Sequence, residues 1–461
     1  MERANLLVTG GTVWTPGGFV RGDVLINEGK IAGIGTGSTM PETSQVIDAQ
    51  GQYVIPGCID THTHQREPGF THKEDFTTAT QAAAAGGFTL SMGMPNVSPP
   101  TTTLEHFNNV IQVGRQKALV DFNHNPSGTV PEEVPKLAEA GCLGFKIFMG
   151  HDTRRDYPHM PGIALHNHGD LLRSFEAVAP TGLPLMVHPH DQDLMDVIEQ
   201  RYWQREDFSP QAYAKAYRES DGIIWDTAIA TLLQLQKATG ARLHVLHMST
   251  PGSLEMVRRT KAEGRAVTCE VNPWALFLGS SWEAIERLGP YALGFWVPEA
   301  HVEALWQGIN DGTIDVVGTD HAPHTREEKE VGWEDMWKAP GGEPQIQDCL
   351  RLFLTAVNEG KLTFDRLVRL ISYNPARIFG VYPRKGVIQV GSDADLVIVD
   401  MNREETISNA TTYTKVGWTP YDGRRVKGIP TRTIVRGRVV MQESEVIGEP
   451  GYGEFVTRVG G

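Results

Sequence analysis

His62 and His64 stand one residue apart in DTHTHQREPG (60–69), just after the apolar run YVIPGCI, and Arg66 follows two residues on. Residues i and i+2 of an extended strand share a face, so both imidazoles can address a single ion. A lone pair of this kind is more often structural than ligating. Here, however, four more residues of suitable chemistry end other apolar runs: Lys146 in GFKIFMG, His188 in MVHPHDQDL, His247 in HVLHMST and Asp320 in GTDHAPHT. Neutral imidazole and carboxylate suit zinc, manganese, iron or cobalt, and four histidines with one aspartate are enough for two ions. An ammonium would repel those ions. Carbamylation by CO2 turns the lysine amine into an anion with two oxygens, able to bridge metals about 3.5–4 Å apart. Taken alone, Lys146 reads as a salt-bridge partner; among these five neighbours the bridging role is favoured.

For these residues to meet, the runs carrying them must be neighbouring strands. Between Pro56 and about Arg384, eight apolar runs alternate with helical stretches: CIDTHTH, FTLSMGMPN, LVDFNHN, CLGFKIFMG, PLMVHPH, RLHVLHM, AVTCEVNP and IDVVGTDHAP. Strand–helix alternation predicts a parallel sheet, and eight units over this length predict a closed (β/α)8 barrel rather than an open doubly wound sheet. No glycine-rich dinucleotide turn follows the first run. Helices are expected at 73–87, 170–179, 226–240 and 301–311. Longer segments at 191–225 and 321–345 follow the fifth and eighth runs, on the face where barrels place their chemistry, and read as pocket walls or lids. Residues 1–55 alternate as short strands punctuated by glycine, and DADLVIVDM (393–401) and TRTIVRGRVVM (431–441) repeat the style. The expected division is therefore 1–55 and 385–461 as one β-sandwich built from both ends, around a barrel at 56–384.

The chain has 461 residues, 40% of them hydrophobic, and a formal charge of −14, with no cluster of basic residues interleaved with aromatics. That balance argues against nucleic acid as a partner and leaves a small molecule. No leader segment or run of eighteen apolar residues is seen, so no membrane partner and a cytoplasmic location are expected. Cys58, Cys142, Cys269 and Cys349 are scattered and read as reduced core thiols. His151, His159, His166 and His168 lie in a loop without strand register and read as surface or rim residues. His190 shares a face with His188 and reads as a support rather than a ligand.

In order, DTHTHQREPG, MPNVSPP, GFKIFMG, MVHPHDQDL, HVLHMST and GTDHAPHT resemble the cyclic amidohydrolases, the family of dihydroorotases, hydantoinases, dihydropyrimidinases and allantoinases. The likeness extends to ISYNPARIFGVYPRKGVIQVGSDADLVIVD and KVGWTPYDGRRVKGIPTRTIVRG near the C-terminus. It implies that His62, His64 and Asp320 hold the more buried of two divalent ions, most simply zinc, that His188 and His247 hold the other, and that carbamylated Lys146 bridges them. Asp320 would also move the proton from the attacking hydroxide to the leaving ring nitrogen. A homodimer or homotetramer is implied too.

Within that family Arg66, Asn96 and His324 resemble the positions at which dihydroorotases grip a substrate carboxylate, and a planar guanidinium suits both of its oxygens. An ion pair of Arg66 with Glu67 or Asp75 is the structural alternative. Other features resemble the hydantoinase and allantoinase branch, which acts on uncharged rings: the lysine of GFKIFMG and the segment KAPGGEPQIQDCL. In ALGFWVPEAH (292–301) and at Trp274, aromatic residues replace polar ones and suggest a wider, more apolar pocket. A non-catalytic scaffold, the remaining alternative, would be expected to lack several ligand positions, and all six are filled here.

Overall fold

A computed structural model describes residues 6–36, 43–150, 162–292 and 296–460. The eight apolar runs become eight parallel strands: Cys58–Thr63, Phe88–Gly93, Asp121–His124, Phe145–Phe148, Pro184–His188, Arg242–Val245, Val267–Val271 and Val316–Val317. Strands one to three form one sheet and four to eight another. Two bridges join them into a barrel, Ser127 with Lys146 and Thr63 with His321. Both closing contacts sit beside candidate site residues, so the last turn of barrel closure also sets the site.

The four expected helices form at Phe76–Ala85, His168–Val178, Ile223–Thr239 and Glu299–Asp311. Their starts follow from local chemistry. Asp75 accepts from the Thr78 amide at 2.9 Å and Thr78 Oγ1 accepts from the Asp75 amide at 3.3 Å, a reciprocal cap on the first barrel helix. The alanine run that follows lets this helix pack closely, and Gly86 ends it where a Cβ would lie 2.3 Å from the Ile346 carbonyl. The segment after strand five holds two helices, Gln192–Trp203 and Pro210–Ala216, and the one after strand eight holds a short helix, Arg326–Glu330.

Strands from both chain ends share one nine-stranded sheet. Tyr53–Pro56 pairs with Leu396–Thr406, next to Leu6–Thr15 on one side and Arg425–Val435 on the other. The protein is thus a (β/α)8 barrel with a β-sandwich assembled from its termini. Lys385 ties the two together: its Nζ lies 2.5 Å from Asp121, 2.6 Å from Asp395 and 2.9 Å from Asp393, all buried. Beyond the sheet, the tail returns to the barrel, with the Val456 amide donating to the Phe122 carbonyl at 2.9 Å. All four cysteines are free and buried. Among the described residues no helix is long and apolar enough to cross a membrane.

Candidate metal and substrate site

The strand crests bring the six residues together over one barrel mouth. Asp320 Oδ1 lies 3.2 Å from His64 Nε2 and 3.4 Å from His62 Nε2, and Oδ2 lies 3.8 Å from His247 Nδ1. Ring centroids are 5.3 Å apart for His62 and His64, 5.1 Å for His62 and His247, and 4.6 Å for His188 and His247. Ligand atoms of His62, His247 and Asp320 lie within 4.8 Å of one another. His188 lies against the His247 ring rather than in that tight trio. Lys146 extends beneath them, its Nζ 4.2 Å from the Phe148 ring centre. Asp320 and His247 both hold positive φ, 52° and 57°, an unusual conformation for residues with a Cβ and one that aims each side chain at the mouth.

Burial governs the charge states. It pushes the His64 imidazole down to about 3 and His247 to about 4, and His188 falls well below its ordinary value from burial with His247 and Lys146 nearby. Burial also drops Lys146 to about 7 against the pull of Asp320 and Glu270. Neutral imidazoles are the form that binds metal, and a neutral amine is the form that reacts with CO2. His62 Nε2 and Lys146 Nζ are both buried and have no hydrogen-bond partner. Orphaned donor and acceptor atoms at the centre of a histidine-rich mouth fit a group that these residues hold between them.

A layer of partners sits behind the imidazoles. His62 Nδ1 lies 2.6 Å from Glu270 Oε1, His64 Nδ1 2.6 Å from Asn96 Oδ1, and His247 Nδ1 2.7 Å from Asn272 Oδ1. Each oxygen can only accept, so each Nδ1 carries the proton and each Nε2 lone pair is left for an ion. Asn272 Nδ2 donates to Glu270 Oε1 at 3.0 Å, so one strand end orients ligands from strands one and six together. Burial alone would raise the Glu270 carboxyl, but His62 and His244 outweigh it and hold it well below the usual range. Gly318 is the glycine this packing requires, since a Cβ there would lie 2.3 Å from Glu270 Oε2. Sequence reading missed Glu270 and Asn272. Their only signal was the i, i+2 spacing in EVNP, which places both on one face of the seventh strand.

Asp60, also missed, locks the first and eighth crests: its Oδ1 accepts from the amides of His62 at 3.1 Å and Thr319 at 3.0 Å, and the Thr319 hydroxyl donates to Oδ2. The His64 amide reaches the His321 carbonyl at 2.7 Å.

Arg66 and His324 meet beside this centre. The guanidinium is buried, with Nε donating to the Pro323 carbonyl at 3.2 Å, Nη2 lying 2.9 Å from His324 Nε2, and Nη1 without a partner. Its backbone φ is 60°. The expected alternative partners are engaged elsewhere: Glu67 pairs with Lys117 and Asp75 with Lys415. Asn96 turns its oxygen to His64 and keeps a buried, unpartnered Nδ2, so this side chain serves the ligand side as well as any substrate. A loop from the C-terminal portion, between strands Leu396–Thr406 and Arg425–Val435, props the corner. Trp418 Nε1 donates to the His324 carbonyl at 2.8 Å, the Thr414 hydroxyl donates to Glu74 at 2.5 Å, and the Tyr421 hydroxyl donates to Gln345 at 2.7 Å.

The other side of the mouth is aromatic. Trp225 lies 5.9 Å from the His188 ring and Tyr217 5.8 Å from His190, both from the segment after strand five, and Trp274 lies 6.4 Å from His247. His190 is buried 6.4 Å from His188 by ring centre. His166 Nδ1 contacts the Met149 carbonyl at 3.2 Å and His168 begins a barrel helix. His151, His159 and Leu293–Phe295 lie outside the described residues.

A family model described as the amidohydrolase family matches residues 53–440. An L-hydantoinase of Paenarthrobacter aurescens is 35% identical over 96% of this chain and 95% of its own, and a dihydroorotase of Methanosarcina acetivorans is 34% identical over 94% and 91%. The solved structure of an L-hydantoinase (dihydropyrimidinase) from Arthrobacter aurescens superposes with a TM-score of 0.93, 34% identity, and coverage of 99% of this chain and 100% of that one.

Proposed function

The chain belongs to the amidohydrolase family and is a metal-dependent cyclic amidohydrolase, and from that premise we propose that it opens a ring carrying a carboxylate, dihydroorotate being the leading type. In this reading His62, His64 and Asp320 would hold one zinc ion, His188 and His247 would hold a second, and Lys146, once carbamylated, would supply an anionic ligand to both. Ions so held lower the pKa of water and polarise a carbonyl oxygen. Asp320 takes the proton of the attacking water and returns it to the ring nitrogen that leaves, acting first as base and then as acid. Glu270, Asn272 and Asn96 keep the imidazoles in the one tautomer that presents Nε2.

One observation carries the substrate assignment. Arg66 Nη1 and Asn96 Nδ2 are buried donors without acceptors, and the Asn96 side chain lies against His64. Leaving such donors unpaired costs about 1–3 kcal/mol each, and a substrate carboxylate supplies two acceptor oxygens at once. A hydrolysis panel of dihydroorotate, hydantoins, dihydrouracil, allantoin and cyclic imides with metal-loaded protein tests this. Preference for dihydroorotate supports it, and efficient turnover of a neutral 5-substituted hydantoin with none of dihydroorotate refutes it. That second outcome is the hydantoinase reading, favoured by the aromatic wall of Tyr217, Trp225 and Trp274.

We assign a cytoplasmic location, supported by four buried free thiols, and a homodimer or homotetramer, for which exposed Val331 and Trp333 offer apolar surface. The division at 1–55, 56–384 and 385–461 is supported by the sheet that both termini share.

A further inference from the structure

We propose that Arg218 is a positioning residue that holds His247 in place for the second metal ion. The inference rests on the ligand assignment above. His247 follows the sixth strand with φ 57°, a backbone conformation that persists where its surroundings enforce it. Neighbouring strands supply part of that hold: the Leu246 amide donates to the Val187 carbonyl at 3.1 Å and the Met248 amide to the Glu270 carbonyl at 3.0 Å. The chain just beyond, Ser249 and Thr250, is gripped by side chains from the segment after strand five.

Arg218 is buried in that segment. Its Nη1 donates to the Ser249 carbonyl at 3.2 Å and to the Ser249 hydroxyl oxygen at 3.3 Å, and its Nε donates to the Trp296 carbonyl in the loop after strand seven. Burial pulls the guanidinium down to about 9 while the Asp226 charge draws it up, so it stays charged at neutral pH and its bonds are charge-assisted. Asp226 takes the next residues, with Oδ1 accepting from the Thr250 hydroxyl at 2.5 Å and the Ser253 hydroxyl at 2.6 Å. A Cβ at Gly252 would lie 2.0 Å from Asp226 Oδ2, so this junction is closely fitted. Each anchor directly follows an aromatic of the mouth wall: Tyr217 precedes Arg218, Trp225 precedes Asp226, and Trp225 Nε1 donates to the Tyr217 carbonyl at 3.3 Å. Asp226 secures the start of the helix Pro251–Ala262, whereas Arg218 acts nearer the ligand, two residues beyond His247. One guanidinium thus joins the loops after strands five, six and seven.

Without that guanidinium the Ser249 carbonyl loses its charged donor, and His247 can relax toward an ordinary backbone conformation that turns its imidazole from the mouth. The ligands assigned to the other ion are braced through contacts in which Arg218 has no part: His62 by Glu270, His64 by Asn96, and the first and eighth crests by Asp60. The signature of Arg218 is therefore a loss confined to one of the two ions.

The test measures both zinc dissociation constants by chelator competition in wild type, His247→Asn, Arg218→Met and Arg218→Gln. His247→Asn marks which constant belongs to the second ion. Arg218→Met is expected to weaken that same ion by about 10–100-fold, the scale for losing a group that orients a metal ligand, with the other constant within about threefold. Arg218→Gln, a milder change that keeps an amide donor without the charge, keeps the test decisive if Arg218→Met fails to fold. It should weaken the second ion by at least about threefold and leave the other unchanged. With cobalt in place of zinc, the visible bands lost in His247→Asn should weaken or shift in the Arg218 variants while the remaining bands stay. Equal weakening of both ions would mark a merely structural arginine and overturn the proposal, as would two constants at their wild-type values. If His247→Asn leaves both constants unchanged, the ligand assignment itself fails. If His247→Asn weakens one ion and neither Arg218 variant does, only the role of Arg218 fails.

Discussion

Replacing Glu270 by Gln should weaken metal binding while leaving the fold intact. Glu270 Oε1 is 2.6 Å from His62 Nδ1, both side chains are buried, and the substitution removes a charge without changing volume. A hydrogen bond to a charged group contributes about 1.5–3 kcal/mol, and loss of the partner that orients a metal-bound histidine typically weakens affinity by about 10–100-fold. These magnitudes agree, because about 1.4 kcal/mol is tenfold in a binding constant. The same substitution disturbs Asn272, whose Nδ2 is 3.0 Å from the same oxygen and whose Oδ1 holds His247, so both ion positions should weaken. Chelator competition on metal-free protein reads the affinities, and a thermal melt of the metal-free form checks the fold. That melt should stay cooperative but fall below wild type, since His62 and His244 more than offset the cost of burying the Glu270 charge that the substitution removes. Affinities within about threefold of wild type would refute the idea that Glu270 orients His62.

Other outcomes follow from the same geometry. Gly318→Ala sets a Cβ 2.3 Å from Glu270 Oε2 and should destabilise the protein by about 1–3 kcal/mol, measured by urea denaturation, with metal affinity falling alongside. Lys385→Met takes from Asp395 its cation, while Asp121 keeps Arg436 and Asp393 keeps Lys30 and Arg384, and should cost about 3–5 kcal/mol, read as a lower Tm at an unchanged rate per folded molecule. Burial and Arg66 lower Lys73 to about 8 from 10.5 despite Glu328, so between those values the unfolded chain holds more protons than the folded one. Stability should therefore rise with pH across about 8 to 10.5, and Lys73→Met should flatten that rise in denaturation curves. Burial pushes the Cys58 and Cys269 thiols up to about 12, so iodoacetamide at pH 8 should label neither until the protein unfolds, as peptide mapping would show.

The barrel was legible because its strands and helices carry different periods, and each of the eight apolar runs formed a strand. The convergence of His62, His64, Lys146, His188, His247 and Asp320 was legible for the same reason: in a closed parallel barrel, strand ends meet whatever lies between them. What escaped were contacts with no local signature. Glu270 reaches His62 across 208 positions and Trp418 reaches His324 across 94, and neither residue type announces its partner. The segment KVGWTPYDGRR reads as part of the terminal β-domain, yet its loop crosses to the mouth and buttresses the DHAPHT turn. Asn96 was read toward the substrate alone, because an amide with its oxygen already committed to His64 looks no different in sequence. Lys73 and Glu328 were hidden by ordinary appearance: each is a charge in a polar stretch, and only the fold sets buried Lys73 against half-buried Glu328 and His324.

Titrating zinc into metal-free protein in bicarbonate buffer, while following ring opening of dihydroorotate, tests the two-ion carboxylate-ring reading most directly. The expected result is no turnover without metal and a rate that levels off at two equivalents per chain. Full activity without metal, or no ring opening at any loading, would contradict it.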